Sequence, residues 1–354
     1  MGQRWLLLRA PSSNRVYTAE AAAIGAREAD LLGEAFTSRP LDAEPATVAG
    51  VEYLALTAPG ESEADNRLRT ALAYHSSAYA LFAEESDSRL LPLALERRVN
   101  HPSDLISQLK YVGKTNEQFT QMMVNAAACA SDNPSALLDG SLRLLDPVCG
   151  RGTTLNVALS LGLSPVGVDI DAKDAEAYRA FLTTWLRNHR YKHTAQAGRL
   201  SSNGKVHGQT FQAEFAQDKA AQKAGLSQHL TLHTCDTTLV GTLLPAGKTD
   251  VVVADLPYGV QHGARTDKLS RSPLELLRRA LPGWRRALRK GGAMALAVNL
   301  KTTPHDELYA VCAEAGLKPR WPDRVGEMRH RVDNAIERDV ALLVRDDYPA
   351  QTTN

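Results

Sequence analysis

Residues Leu144-Leu145-Asp146-Pro147-Val148-Cys149-Gly150-Arg151-Gly152-Thr153-Thr154 decide how the chain is read. A short apolar run, an acid, two glycines one residue apart and a Thr-Thr pair opening an apolar helical stretch predict a strand, a tight turn and a helix in that order. Gly150 and Gly152 carry no Cβ, so the backbone can turn sharply there and approach a ligand closely. About twenty residues on, Val168-Asp169-Ile170-Asp171 ends a second apolar run. That spacing offers Asp169 to the two hydroxyls of a ribose, with Ile170 beside it on the same cofactor edge.

The loop is read against two cofactors. A nicotinamide dinucleotide wants G-x-G-x-x-G at a helix N-terminus, to receive a pyrophosphate. Here the third position is Leu155, and the loop is preceded by Asp146. A carboxylate repels a diphosphate but accepts hydrogen bonds from the ammonium end of S-adenosylmethionine (SAM). The loop therefore favours SAM, with Asp146, Pro147, Cys149, Gly150, Gly152, Thr153 and Thr154 around it. A helix-opening turn without a ligand is the plain alternative.

Outward from the loop, short apolar runs alternate with helical stretches. Strands are predicted at 142–145, 165–170, 230–234, 250–254, 293–300, 317–322 and 338–345, and helices near 155–161, 175–188, 274–288 and 306–315. Such alternation predicts a mostly parallel sheet covered on both faces, with ligands at the carboxyl ends of its strands. Asp236 follows the third strand, where it can accept from an adenine amino group or simply cap a helix. The segment 194–228, rich in Gly, Ser, Gln and Lys, reads as an inserted, partly mobile excursion. Residues 1–100 read as a small α+β N-terminal domain, with strands at 5–9, 51–56 and 78–82 and helices at 19–32 and 64–74. Residues 101–354 form the second domain, opened by a helix over 116–130 whose packed face is Phe119, Met122, Met123 and Ala126. Thr115 and Gln118 have the spacing of its capping box.

The fourth strand runs into Asp255-Leu256-Pro257-Tyr258-Gly259. A planar amine is hard to methylate because its lone pair is delocalised into the ring. The Asp255 carboxylate and the Leu256 carbonyl can orient such an amine by accepting its hydrogens, leaving the lone pair aimed at a methyl donor. Pro257 stiffens the turn and Tyr258 offers a ring on which a base can stack. An ordinary strand-to-loop turn would use some of the same residues.

These motifs, in this order, resemble the class I amino-methyltransferases, and most closely the THUMP-associated tRNA guanosine N2-methyltransferases. The stretch Tyr111-Val112-Gly113-Lys114 through Thr120 to Asn125-Ala126 is similar to a Gly-Lys segment that precedes the glycine loop in that group and walls the cofactor pocket. The resemblance covers about 105–345. It implies an α/β fold with a Rossmann-like class I methyltransferase sheet of seven strands, mostly parallel, beside the small α+β N-terminal domain. It also implies SAM-dependent methylation of an exocyclic amine, most closely guanine N2 of tRNA or another RNA. By this likeness Asp146, Gly150 and Thr154 surround the methionine part of SAM, Asp169 the ribose, Asp236 the adenine, and Asp255 to Tyr258 the accepting amine. The leucine at 256, where proline is commonest in the class, occurs in the tRNA N2 branch. The first hundred residues read as a shortened relative of the region that carries THUMP in that family. A DNA base, a small molecule or a protein amide as acceptor, and a SAM-binding protein without turnover, stay open.

Composition sets the outer limits. The 354 residues are 44% hydrophobic and 23% charged, with 41 Lys+Arg against 40 Asp+Glu, so a nucleic-acid partner must be met by local patches. Residues 1–100 hold 10 Arg, no Lys and 14 acids, whereas 261–290 hold 9 basic residues against two acids. Arg271, Arg278 and Arg285 recur every seven residues beside Arg279, Arg286 and Arg289, a basic stripe broken by Pro282-Gly283 that is suited to phosphates near the catalytic mouth or is equally a plain solvated helix face. The run Trp185 to His193 reads as the end of a surface helix. His189 and His193 lack a third ligand nearby and the four cysteines form no C-x-x-C pair, so no metal is expected. No apolar run approaches a bilayer span, and a cytoplasmic location without membrane contact is expected.

Overall fold

The computed structural model describes residues 2–11, 15–85, 89–99, 101–109, 111, 113–202, 204–257 and 273–347. Near the amino end, strands β1 (Arg4–Arg9), β2 (Glu44–Val48), β3 (Val51–Thr57), β4 (Ala78–Glu84) and β5 (Leu90–Leu93) pair antiparallel in the order β2-β3-β1-β4-β5. Helices α1 (Arg15–Thr37) and α2 (Ser62–Leu72) accompany them. The sequence reading lacks β2 and β5. Each contains a proline, Pro45 and Pro92, which breaks a strand signal yet is tolerated at a sheet edge, where both strands lie.

The larger unit begins with α3 (Asp104–Ser107), α4 (Glu117–Ala130) and α5 (Ser135–Asp139). It continues through β6 (Leu144–Asp146), α6 (Thr153–Ser160), β7 (Val166–Asp169), α7 (Ala172–Asn188), β8 (Lys192–Ser202), β9 (Lys205–Ala216), α8 (Lys219–Lys223) and β10 (Gln228–Thr234). Then come α9 (Val240–Leu243), β11 (Thr249–Asp255), α10 (Pro273–Ala287), β12 (Leu288–Asn299), α11 (His305–Glu314), β13 (Leu317–Pro319), β14 (His330–Arg331) and β15 (Glu337–Arg345). Strands β10, β7, β6, β11 and β12 are mutually parallel neighbours, and β15 runs antiparallel between β12 and β13. This seven-strand path is the one expected.

The sheet is larger than that, with ten strands. Most of the polar stretch read as an excursion is a long hairpin, β8 and β9, added antiparallel to the β10 edge. Its sheet character hides in one alternation: Phe211, Ala213 and Phe215 are buried in the core under α7, and the residues between them are not. Gly, Ser and Gln on the other positions masked that period.

Helix α4 also differs from its reading. It is buried on every side and not on one face, because α1 packs across it while its other side meets the sheet. Its polar residues are satisfied across that junction. Asn125 Nδ2 donates to Glu28 Oε1 at 2.6 Å and to the Tyr74 carbonyl at 2.7 Å, and Gln121 Nε2 donates to the same carbonyl. Arg324 clasps Glu34 through both guanidinium nitrogens, at 2.6 and 3.0 Å. Helix α10 runs unbroken through Pro282, which lies on its exposed side while Leu277, Leu281 and Trp284 bury the opposite stripe. Gly283 is what that packing requires: a Cβ there would stand 2.9 Å from the Gly241 nitrogen. Among the described residues no helix is long and apolar enough to cross a membrane.

Candidate active site

Parallel strands deliver their carboxyl ends to one edge, and Asp146, Asp169 and Asp255 are the last residues of β6, β7 and β11. The glycine loop fills the space after β6. Gly150 (φ +49°) and Gly152 (φ +81°) both occupy the left-handed region. Gly152 is needed twice over, since a Cβ there would come within 2.4 Å of the Tyr178 ring. Around a Cβ on Gly150 nothing would lie within 4 Å, so this side of the loop is an open cradle. Cys149 turns the other way: its thiol packs at Gly167 in β7, and burial raises its pKa well above the ordinary thiol range. Pro147 is buried beside it.

Asp146 is 2% exposed, and burial pushes its carboxyl up to about 7. Hydrogen bonds from the Thr154 hydroxyl and from the Val148 N–H, at 3.1 Å, oppose that shift, whereas the charges of Asp169 and Asp255 add to it. Burial likewise raises the Asp169 pKa. Its Oδ2 accepts from the Gly150 N–H at 2.7 Å and its Oδ1 from the Asp171 N–H at 2.8 Å, which fixes the loop against β7. Ile170, next to it, is 71% exposed, an unusual place for a large aliphatic side chain unless something covers it. Thr153 Oγ1 meets the Tyr111 hydroxyl at 2.8 Å, and the Arg151 guanidinium lies 5.1 Å from the Tyr111 ring centre, so the Tyr111 segment walls the loop.

The chain brings Asp255 to a partner that the sequence reading assigned elsewhere. Thr115 does not cap α4. Asn116 does, its side chain accepting from the Phe119 N–H at 3.0 Å, while Gln118 donates to the Ala10 carbonyl. The Thr115 hydroxyl instead donates to Asp255 Oδ2. One signal was available: Asn is as good a cap as Thr, and Asn116 stands one residue nearer the helix. His330 is a second residue the sequence did not flag. It is buried against Phe119, with ring centres 5.1 Å apart, and burial lowers its pKa to about 4, with Asp255 close enough to act on it electrostatically. Leu256 is buried, and its N–H donates to the Ala297 carbonyl at 3.1 Å, clamping the motif to β12. Pro257 is exposed. Tyr258 and Gly259 lie outside the described residues, as does Arg271.

Other sequence candidates have plainer places. Asp236 Oδ1 accepts from the Thr238 N–H at 2.9 Å, capping a single turn, and Arg279 stands 3.9 Å from its other oxygen. His189 pairs with Asp104 at 2.8 Å. The run from Trp185 to His193 ends helix α7 at Asn188 as read, with Arg187, Asn188, Arg190 and Lys192 exposed, while Trp185 and Tyr191 are buried in a ring cluster with His101. The basic stripe does not line one mouth. Arg279 stands near Asp236 at the carboxyl edge of the sheet and Arg278 pairs with Glu314 at 3.7 Å, whereas Arg285, Arg286 and Arg289 gather at the opposite, amino edge.

The strand order, with five parallel strands and an antiparallel β15 inserted before the last, is the Rossmann-like sheet of the class I methyltransferases. No family model matches the chain, and no curated protein matches it. Among solved structures, the T. thermophilus 16S rRNA N2 G1207 methyltransferase in complex with AdoMet and guanosine is similar at 15% identity, over 59% of this chain and 37% of that one, with a TM-score of 0.30. The Burkholderia thailandensis 1,6-didemethyltoxoflavin-N1-methyltransferase is similar at 16% identity over 63% and 80%, with a TM-score of 0.36. A TehB-like SAM-dependent methyltransferase from Corynebacterium glutamicum is similar at 16% over 65% and 97%, with a TM-score of 0.30. Likenesses this distant add nothing to what the strand order establishes.

Proposed function

We propose that the chain is a SAM-dependent N-methyltransferase acting on an exocyclic amine, and that guanine N2 of tRNA or another RNA is that amine. One observation carries the cofactor: Asp146 and Asp169, the last residues of the neighbouring strands β6 and β7, flank a glycine loop on which nothing lies within 4 Å of a Cβ at Gly150. Two carboxylates beside that loop repel a pyrophosphate and suit a ligand with an ammonium and a sulfonium.

In this reading Asp146, Gly150 and Thr154 hold the methionine part, and Asp169, already oriented by two N–H donors, turns its remaining lone pairs to the ribose hydroxyls. Ile170 covers the adenine face, and Asp236 accepts from the adenine amino group with Oδ2, the oxygen that stands 3.9 Å from Arg279. When bound, SAM supplies a methyl group activated on a sulfonium. Asp255 and the Leu256 carbonyl would accept the two amine hydrogens, which would aim the nitrogen lone pair at the methyl group the cofactor supplies. The proton released by the methylated nitrogen leaves through Asp255. His330, held neutral by burial, places no competing cation beside that carboxylate.

The substrate rests on the resemblance of Asp255-Leu256-Pro257-Tyr258-Gly259 to the tRNA N2 branch and on the cationic helix α10. Incubation of the purified protein with methyl-labelled SAM and pooled tRNA, DNA or cell extract tests it. Label as N2-methylguanosine in tRNA is the expected result. Label elsewhere moves the substrate to a DNA base, small molecule or protein amide, and SAM binding without label anywhere leaves a non-catalytic binding protein.

A further inference from the structure

At the amino ends of the strands, on the sheet edge opposite the acidic pocket, lies a groove of about 430 Å³ whose charged lining is Arg285, Arg286, Arg289, Lys290 and Arg345. No carboxylate lines it. Two of the five cations are already neutralised. Arg289 sits between Asp250 and Asp132, and Arg345 pairs with Asp347 at 2.8 Å. The other three form no ion pair among the described residues. Arg285 Nε donates to the Gly316 carbonyl at 2.9 Å, and Arg286 donates to the carbonyls of Gly241 and Leu244. Backbone carbonyls hold these guanidinium groups in place without cancelling their charge. Arg285 acts electrostatically on Asp347, which Arg345 already occupies.

A concave surface with three uncompensated, partly pre-positioned cations concentrates anions. Its occupant is indicated by what continues from it. Helix α10 connects the groove to the catalytic edge and carries Arg278 and Arg279 on its exposed side, each only loosely paired, with Glu314 at 3.7 Å and Asp236 at 3.9 Å; Arg278 to Arg286 spans roughly 12 Å at 1.5 Å per residue. Arg279 reaches Asp236 at that edge. A series of cations spaced along a ridge suits repeating phosphates and has no use for a single small anion. We propose that the groove seats phosphates of a polynucleotide substrate about one strand length from the reacting amine, roughly 20 Å for a seven-residue strand. This inference rests on the reading of a polynucleotide as substrate.

The test uses the full chain and the variant Arg286→Glu/Lys290→Glu, in which both changed side chains are exposed and remote from the acidic pocket. Binding to pooled tRNA is followed against salt, SAM affinity is measured by calorimetry, and methyl transfer is measured as kcat and KM. The expected result is a roughly tenfold rise in KM for tRNA, a flatter salt dependence by about two in the log–log slope, and unchanged kcat and SAM affinity. A variant that binds and methylates tRNA as the wild type does overturns the groove and leaves the proposed reaction standing. Stabilisation of only the wild type by inorganic phosphate, with equal tRNA binding in both, makes it a small-anion site and also overturns the proposal. If the wild-type chain neither binds nor methylates any polynucleotide, the substrate reading fails first and the groove proposal with it.

Discussion

The Thr115 hydroxyl donates a hydrogen bond to Asp255 Oδ2 across 140 residues of sequence. It ties the loop before α4 to the end of β11, so the helix packed between α1 and the large sheet sets the direction of the carboxylate meant to receive an amine hydrogen. Thr115 is therefore a positioning residue. Thr115→Val keeps the shape and removes the donor; a lost hydrogen bond to a charged group costs about 1.5–3 kcal/mol, or roughly ten- to hundredfold in kcat. SAM affinity should be unchanged and Thr115→Ser should restore most of the rate. A Thr115→Val enzyme with normal kcat would show that Asp255 holds its orientation without this bond.

Asp169 and Asp255 end neighbouring regions of the same sheet edge but are bonded differently, which divides their roles. Asp169 holds the glycine loop through the Gly150 N–H, and Asp255 faces Thr115. Asp169→Ala should weaken SAM binding by roughly ten- to hundredfold, since it removes both the loop anchor and a ribose acceptor. Asp255→Ala should abolish turnover with SAM affinity nearly unchanged. Calorimetric titration of both variants decides the matter, and equal losses of SAM affinity would refute the division.

Asp146 makes the pocket sensitive to pH. Its carboxyl titrates at about 7 in the folded chain against 3.8 for an unperturbed aspartate. Below pH 3.8 both folded and unfolded chains hold the proton. Between 3.8 and about 7 the unfolded chain releases a proton the folded chain retains, so this group weakens folding as pH rises, and above 7 the loss is constant. A cationic ligand favours the ionised form. SAM binding should then release close to one proton near pH 6 and almost none near pH 8.5, with affinity rising toward pH 7 and level beyond it. Calorimetry in buffers of different ionisation enthalpy reads that proton. Asp146→Asn should bind SAM more weakly, release no proton and melt at a higher temperature near pH 8. The same proton release in wild type and variant would move the titration to another group.

How far the sequence reaches follows from the range of each interaction. The parallel strands and the glycine loop are local features: apolar runs such as Val251-Val252-Val253-Ala254 and the Gly150/Gly152 pair announce themselves within ten residues. The β8–β9 hairpin was not legible, because the phenylalanines that bury it stand among glycines and glutamines that resemble a linker. Asn125, which the sequence places in the segment walling the cofactor pocket, and Gln121 stand as polar residues in an otherwise apolar helix. They are buried because Glu28 and the Tyr74 carbonyl reach them from another unit of the fold. The Thr115 contact depends on the same docking, and no spacing rule spans it. Likewise the regular heptad of Arg278 and Arg285 says nothing about which end of the sheet each one faces.

The two loop glycines serve different ends, and substitution separates them. Gly152→Ala would force a side chain into the left-handed region and push its methyl to 2.4 Å from the Tyr178 ring. Strain and overpacking together should cost about 2–5 kcal/mol of stability, seen as a lower urea midpoint with or without ligand. Gly150→Ala carries the backbone strain alone, about 1–2 kcal/mol, because nothing lies within 4 Å of its new methyl. That methyl would project into the open side of the loop, where the cofactor is proposed to lie against the backbone. SAM affinity should fall by at least roughly tenfold in Gly150→Ala, far more than its small loss of stability explains. Should Gly150→Ala bind SAM as tightly as the wild type, the ligand does not rest on this loop, and the assignment of Asp146 and Thr154 to its methionine end goes with it.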